Sequence, residues 1–118
     1  MSRDGKIEAL LTTYFAAHAA NDLEAVLALF EDVATVEDPV GSAIHEGIDA
    51  VRAFYAATHE RNGTMTIERV GPGLVGGDEV VVHVRAGLDK RGSPPAMDVI
   101  YLIRLGASGR IANLRAWF

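Results

Sequence analysis

The sequence predicts an α+β fold in which a cone-shaped, curved antiparallel sheet packs on three N-terminal helices. Apolar residues recur at helical spacing in the first half of the chain, apart from one short strand at 34–38. From Met65 onward they alternate with polar residues, as strands do, and short connections rich in glycine join the segments. Helices followed by strands in 118 residues indicate a single domain over residues 1–118.

The composition limits the function classes that fit this chain. The 11 Lys and Arg residues are outnumbered by 16 Asp and Glu residues, and the resulting net charge of -5 argues against nucleic acid or anionic membrane as a partner. The absence of cysteine excludes disulfides, a thiol nucleophile and a thiolate metal site. The sequence has neither a membrane-spanning apolar stretch nor the apolar core of a signal peptide, so we expect a cytoplasmic protein.

Three helices are predicted from the apolar spacing. The first carries a stripe formed by Ile7, Leu10, Leu11, Tyr14, Phe15 and His18. Asn21 is expected to cap the second helix, with Glu24 in the capping-box position. The apolar side of that helix is predicted to comprise Leu23, Val26, Leu27 and Phe30. The third helix, which should end before Asn62-Gly63, is marked by Ile48, Val51, Phe54 and Tyr55.

A short strand from Ala34 to Asp38 separates the second and third helices. Because side chains alternate along a strand, Asp38 shares the inner face of Ala34 and Val36, whereas Glu37 points outward. Pro39 keeps Asp38 out of the helical region. A carboxylate aimed into an apolar interior is either costly or useful. The alternative, that Asp38 only caps the following turn, stays open at this point.

The second half predicts the strands of the sheet: 65–70, 80–88, 96–105 and 110–118, with a hairpin at 89–92. Tyr101 lies on the inner face of its strand, whereas Asp98 and His83 lie on outer faces. A curved sheet closed by helices forms a conical pocket that suits an apolar ligand. Its predicted apolar lining, which any core would equally show, is Phe54, Val82, Val84, Met97, Val99 and Phe118.

Several of these residues resemble the Δ5-3-ketosteroid isomerases. The resemblance lies in Val36-Glu37-Asp38-Pro39, with Tyr14 ahead of it at the spacing of that family. Further similar segments are Ile44-His45, Ala53-Phe54-Tyr55, Ala96 to Ile100 and Gly109-Arg110-Ile111. The elements around Phe54 and Tyr55 are shared with the wider superfamily of nuclear-transport-factor-2-like, cystatin-like and SnoaL-like folds.

The resemblance implies a homodimer without a cofactor that moves the C5–C6 double bond of a 3-keto steroid into conjugation. Asp38 would be the general base that carries a proton from C4 to C6, and Tyr14 would donate a hydrogen bond to the dienolate oxygen, supported by Tyr55. The family's second donor is an aspartic acid, and its position falls on Tyr101 here. A tyrosine hydroxyl also donates and stays neutral at pH 7, so Tyr101 is either a second donor or a pocket filler.

Other functions remain open. The chain could be another enzyme of the same fold, such as a polyketide cyclase or an epoxide hydrolase, or a non-catalytic module that binds an apolar ligand or dimerises. The four histidines are scattered over the predicted elements without ligand spacing, so no metal site is expected. The apolar side chains of Ile100 and Leu102, with Trp117 near them, place the expected dimer interface on the outer face of the sheet.

Overall fold

The structure is a computed structural model that describes residues 3–88 and 97–118. Within these residues the helices are α1 (Arg3–Ala19), α2 (Leu23–Leu27) and α3 (Ile48–Asn62). The strands are β1 (Phe30–Glu37), β2 (Ile44–Glu46), β3 (Met65–Arg69), β4 (Leu74–Gly76), β5 (Glu79–Leu88), β6 (Met97–Leu105) and β7 (Ile111–Trp117). The predicted α+β class is confirmed.

The described strands form one curved, open sheet in the order β2-β1-β7-β6-β5-β3, and β4 pairs with residues 79–81 of β5, which β3 leaves free. The predicted antiparallel arrangement holds except between β1 and β7, which run parallel. The longest ladder joins β5 to β6 and sets Val82 opposite Tyr101 and Ala86 opposite Met97. Since β1 lies beside the C-terminal strand, the end of β1 and the end of the chain meet at one part of the sheet.

The core lies between the helices and one face of the sheet. The helices contribute buried side chains at helical spacing, among them Ile7, Leu11, Tyr14, Val51 and Tyr55. The strands contribute their inner-face residues, among them Val80, Val82, Val84, Ile103 and Leu114. Each of these alternates with an outward side chain, as the sequence pattern predicts. None of the helices in the described ranges combines the length and the apolar character that crossing a bilayer requires.

The connection between α1 and α2 differs from the prediction. Asn21 does not cap α2; Asp22 does, because its Oδ1 accepts the backbone N–H of Ala25 at 3.1 Å. Asn21 instead ends α1, with a φ of 57°. The Asn21 N–H donates to the carbonyl of His18, and the Asp22 N–H donates to the carbonyl of Ala17. This pair of bonds is a Schellman motif, in which asparagine is a common substitute for glycine.

Other boundaries also differ from the prediction. Phe30 is buried, but it begins β1 rather than completing the apolar side of α2. β1 therefore starts earlier than expected and ends at Glu37, so that Asp38 follows the strand directly. α3 runs through Asn62, and Gly63 ends it with a φ of 68°. The predicted hairpin at 89–92 and the first residue of the strand predicted at 96–105 lie outside the described residues.

The positive φ of Asn21 provides a test of the helix end. Asn21→Val is expected to lower the free energy of unfolding by about 1–2 kcal/mol, because a β-branched residue is strained in the left-handed region. Asn21→Gly is the matched control, since glycine adopts this conformation without steric cost. Urea unfolding of both variants measures the difference. Equal stability of the valine and glycine variants would contradict the assigned geometry.

Candidate active site

One cavity of about 290 Å³ opens between the helices and the sheet. Its lining combines a small set of polar groups with an apolar wall. The polar groups are Tyr14, His18, Asp38, Tyr55, Thr58, Arg61, Asn62 and Tyr101. The apolar wall is formed by Pro39, Phe54, Met65, Ile67, Ala86, Met97, Val99 and Phe118. A largely apolar cavity with a few converging polar groups is the usual form of a small-molecule site.

Asp38 enters this cavity from the turn after β1. The turn is tied down by the backbone N–H of Val40, which donates to the carbonyl of Ala116 at 2.7 Å, and by that of Gly41, which donates to Glu37 at 3.0 Å. The turn-capping role left open for Asp38 therefore belongs to Glu37. Among the described residues, no hydrogen bond to the Asp38 carboxylate is formed, and the carboxylate is left to face the cavity.

The surroundings of Asp38 change its acidity. Burial raises the pKa of the Asp38 carboxyl from its ordinary value of 3.8 to about 6, because the apolar wall disfavours the charged form. A carboxylic acid with this pKa is still ionised in most molecules at pH 7. It is also a stronger base than an exposed aspartate, which is the condition that proton abstraction from a weak carbon acid requires.

Three tyrosines surround the same cavity. The hydroxyls of Tyr14 and Tyr55 lie 3.0 Å apart, and both residues are fully buried. The ring of Tyr101 packs edge-on against that of Tyr14, with their centroids 5.7 Å apart. Burial first, and then the nearby Asp38 charge, raises the pKa of Tyr101, while the Tyr14 hydroxyl opposes that shift. Tyr101, Tyr14 and Asp38 all line the same cavity.

Burial also raises the pKa of Tyr14 and of Tyr55 well above the ordinary value. The neighbouring tyrosines and Asp38 add to the shift at Tyr14, and Asp38 adds to the shift at Tyr55. All three phenols are therefore neutral hydrogen-bond donors at physiological pH. A cluster of neutral donors beside a buried carboxylate can stabilise negative charge on a bound ligand without carrying charge itself.

The predicted apolar lining is only partly brought together. Phe54, Met97, Val99 and Phe118 contribute to the cavity wall. Val82 and Val84, each 1% exposed, lie in the core and do not line the cavity. They share the inner face of the sheet with Ala86. Alternation along a strand predicts which face a side chain lies on, but it does not predict which part of that face the helices cover.

The charges predicted to point outward do so. Glu37 pairs with Arg115 at 3.1 Å, and the guanidinium of Arg115 lies 5.0 Å from the ring centre of Trp117. Asp98 is exposed and accepts hydrogen bonds from His83 at 2.7 Å and from Arg85 at 3.1 Å. Neither carboxylate lines the cavity, which leaves Asp38 as the acidic side chain that does so among the described residues.

Sequence reasoning missed a pair of histidines. The sequence pattern shows His18 and His59 as scattered residues, but His18 Nδ1 and His59 Nε2 lie 2.9 Å apart in the buried interior. Each follows a cavity tyrosine by one helical turn, and both the tyrosine pair and the histidine pair are separated by 41 residues. That equal separation was the available signal. No third metal ligand joins them in the described parts of the chain.

The end of α3 supplies polar groups that the sequence pattern does not assign to the site. Thr58, Arg61 and Asn62 line the mouth of the cavity. The side chain of Arg61 is exposed there, and the hydroxyl of Thr58 donates to the carbonyl of Phe54 at 2.9 Å. Apolar spacing marks the face of a helix that packs on the core, but it does not show which turn of the helix borders a cavity.

Comparison with known proteins supports the fold. The family model described as "SnoaL-like domain" matches residues 11–114. Among solved structures, a "putative polyketide cyclase" from Sinorhizobium meliloti is similar, with a TM-score of 0.75 and 26% sequence identity. That similarity covers 94% of this chain and 97% of the other. The matched regions include the elements that carry Tyr14, Asp38, Tyr55 and Tyr101.

The raised pKa of Asp38 leads to a prediction about stability. In the unfolded chain the carboxyl ionises near pH 4, whereas in the folded protein its pKa is about 6. Between these values the folded protein binds more protons, so the contribution of Asp38 to the free energy of unfolding falls as the pH rises. Asp38→Asn should therefore gain stability relative to wild type with increasing pH, by roughly 2–3 kcal/mol above pH 6.

Urea unfolding of both proteins between pH 4 and pH 8 measures this difference. Burial lowers the pKa of His18 to about 3, so His18 destabilises the fold as the pH drops below about 6.5. This trend opposes that of Asp38. It is the same in both proteins and therefore cancels in the comparison. Asp32→Asn, which removes an exposed carboxylate from β1, is the control for the loss of a surface charge. A stability difference for Asp38→Asn that does not vary with pH would contradict the assigned burial.

Proposed function

The chain belongs to the family of SnoaL-like domains, and we propose that it is an enzyme that abstracts a proton from a carbon beside a ketone. The observation that carries the proposal is that Asp38, Tyr14 and Tyr101 all line one largely apolar cavity. A base and neutral donors in one dry site are the two requirements for forming an enolate.

The proposed mechanism assigns one role to each group. Asp38 takes the α-proton, and the electron pair of the C–H bond moves onto the carbonyl oxygen as the enolate forms. Tyr14 and Tyr101 donate hydrogen bonds to that oxygen, and Tyr55 donates to Tyr14, which leaves the Tyr14 hydrogen available for the substrate. Charge that develops away from water interacts more strongly with fixed donors, so the cavity favours the enolate over the ketone.

The reaction that we place first is isomerisation of a 3-keto steroid. The protonated Asp38 returns its proton from C4 to C6, and the C5–C6 double bond moves into conjugation with the ketone. The similarity of residues 36–39 and of Tyr14 to the ketosteroid isomerases supports this choice. The cavity volume of about 290 Å³ lies at the lower limit for a ligand site. The steroid rings farthest from the ketone would therefore lie against the exposed side chains of Met97 and Phe118 at the mouth of the cavity.

Intramolecular cyclisation is the second candidate. The same Asp38 would generate an enolate, whose carbon would then attack a second carbonyl of the same molecule. The new carbon–carbon bond forms as the π electrons of that carbonyl move to its oxygen, and the alkoxide takes the proton that Asp38 holds. The SnoaL-like family and the similarity to a protein named as a putative polyketide cyclase favour it. The polar mouth formed by Thr58, Arg61 and Asn62 also suits a ligand with more polar substituents than a steroid.

Hydrogen exchange tests the step that both candidates share. A saturated 3-keto steroid can exchange its α-hydrogens in D2O but cannot isomerise, so mass spectrometry reports enolisation alone. The wild-type protein should accelerate this exchange, and Asp38→Asn should reduce the acceleration by about 10²–10⁴-fold, the usual contribution of a general base. Asp32→Asn is the matched control and should exchange at the wild-type rate. Wild-type exchange in folded Asp38→Asn would rule out Asp38 as the base.

A second assay separates the two candidates. With 5-androstene-3,17-dione as substrate, the appearance of the conjugated enone absorbance reports isomerisation directly. Exchange together with isomerisation supports the first candidate. Exchange without isomerisation favours the cyclase, because the base then works while the proton return to C6 does not.

The tyrosines should contribute unequally to turnover. Tyr14→Phe removes a donor and is expected to lower the exchange rate by about 10²–10³-fold with little change in ligand affinity. Tyr101→Phe should lower the exchange rate less. Tyr101 reaches the cavity from the sheet, and its hydroxyl lacks the support that Tyr55 gives to Tyr14. Full activity of Tyr101→Phe would mean that the site has a single donor.

We further propose that the protein forms a homodimer through the outer face of its sheet. A contiguous apolar row crosses β4, β5 and β6, since Leu74 pairs with Val81 and Val81 pairs with Leu102. Leu74 is 71% exposed and Val81 is 40% exposed, and Trp117 lies beside Ile100 on the same face. An apolar patch of this kind on a sheet usually marks an interface.

Light scattering at micromolar concentration should give the mass of a dimer. Leu102→Asp should yield monomers, because a buried charge at the centre of the patch would be unpaired. Ala53→Asp, which places the same charge on the exposed side of α3, is the control. A monomeric wild-type protein would contradict the proposed interface.

A further inference from the structure

The last turns of α3 separate two pockets. Phe54, Thr58 and Arg61 line the cavity that contains Asp38, and the same three residues line a second, more open pocket of about 400 Å³. The second pocket is completed by small side chains of α3 and by His45, whose ring stacks on that of Phe54 with 4.5 Å between centroids. Arg61 therefore lies on the rim that the two pockets share, where its side chain is exposed.

Arg61 differs from the arginines that join parts of the fold. Arg52, Arg69, Arg85 and Arg115 each form an ion pair with a carboxylate, at distances of 2.6 to 3.1 Å. Arg61 forms no ion pair with any residue that the structure describes. Among the same residues it is also the cationic side chain that lines the cavity, so its N–H groups are free to bind an anion at the mouth.

The position of Arg61 also separates it from the proposed base. Burial raises the pKa of the Asp38 carboxyl, and no positive charge in the described parts of the chain opposes that shift. The guanidinium is therefore too far from Asp38 to stabilise its ionised form. Arg61 follows Tyr55 by six residues on α3, which corresponds to about 9 Å along the helix axis. A two-ring molecule could thus reach from the tyrosine hydroxyls to the mouth of the cavity.

We propose that Arg61 binds a carboxylate of the substrate, which is a keto acid whose carboxylate lies at the end remote from the reacting ketone. The guanidinium would donate two N–H bonds to the carboxylate oxygens, and the Asn62 amide at the same mouth offers a further donor. A monoanion fits this site better than a phosphate dianion, because one cation faces it and the protein has a net charge of -5. The assignment rests on the proposed function for the position of the ketone, and it applies to either candidate reaction.

Equilibrium binding of matched naphthols tests the proposal without requiring catalysis. 2-Naphthol mimics the enolate and serves as the reference. 6-Hydroxy-2-naphthoic acid adds a carboxylate on the far ring, and 6-hydroxy-2-naphthamide adds an uncharged group of nearly the same shape. In a fluorescence titration at pH 7 and low salt, the acid should bind about two- to tenfold more tightly than the amide, the gain of one partly exposed ion pair. Added salt should reduce this gain, because it screens exposed charges.

Variants of Arg61 show whether the gain depends on its guanidinium. Arg61→Gln removes the charge and should abolish the preference for the acid, while the affinities for the amide and for 2-naphthol stay at the wild-type level. Arg61→Lys keeps the charge without the bidentate geometry and should retain part of the preference. Arg110→Gln, which removes a positive charge from an exposed turn away from the cavity, is the matched control and should keep the whole preference.

Three results would overturn the assignment of Arg61: equal affinities of the wild-type protein for the acid and the amide, a preference for the acid that persists in Arg61→Gln, or an equal loss of the preference in Arg110→Gln. Failure of the proposed enolisation would appear separately, as absent hydrogen exchange in a protein that still prefers the acid.

Discussion

The burial of one carboxyl group is the constraint on which the rest of the site depends. Asp38 follows the end of β1 and faces an apolar cavity, where the loss of hydration raises its pKa to about 6. The surrounding structure has to hold it there, and it does so with backbone bonds: the Val40 N–H joins the turn to Ala116 of β7, and the Gly41 N–H joins it to Glu37. The parallel pairing of β1 with β7 thus fixes the position of the carboxylate as well as the order of the sheet. Burial of the ionised carboxyl lowers the stability of the fold, as is common at functional sites.

The buried tyrosines and histidines between α1 and α3 are arranged in hydrogen-bonded pairs. Tyr14 and Tyr55 share one hydrogen bond, and His18 and His59 share another, so that α1 and α3 are joined through the core by two polar contacts. A hydroxyl or an imidazole in this interior is tolerated because each has a partner. Both members of the tyrosine pair line the cavity, so the same contact can join the two helices and offer a hydroxyl hydrogen to a ligand.

The sequence predicted the features that depend on periodicity and on local chemistry. Alternation along β1 and β6 placed Asp38 and Tyr101 on the inner face and Asp98 on the outer face, and helical spacing placed Tyr14 and Tyr55 in the core. Features that depend on long-range packing were not predictable from one sequence. Val82 and Val84 lie too deep to line the cavity, because the helices cover that part of the sheet. His18 and His59 meet only because α1 and α3 pack side by side. Asn21 and Asp22 are both good capping residues, and the Schellman bonds decide between them.

Titration of the Asp38 carboxyl carbon by ¹³C NMR is the most direct test of the central claim that this group is a buried base. In a protein with labelled aspartate, the Asp38 resonance can be assigned by its absence from the Asp38→Asn spectrum. A midpoint near pH 6 is expected for the buried carboxyl. A midpoint near pH 4, the ordinary value for an aspartate, would show that the Asp38 carboxylate is hydrated and would contradict its role as a buried base.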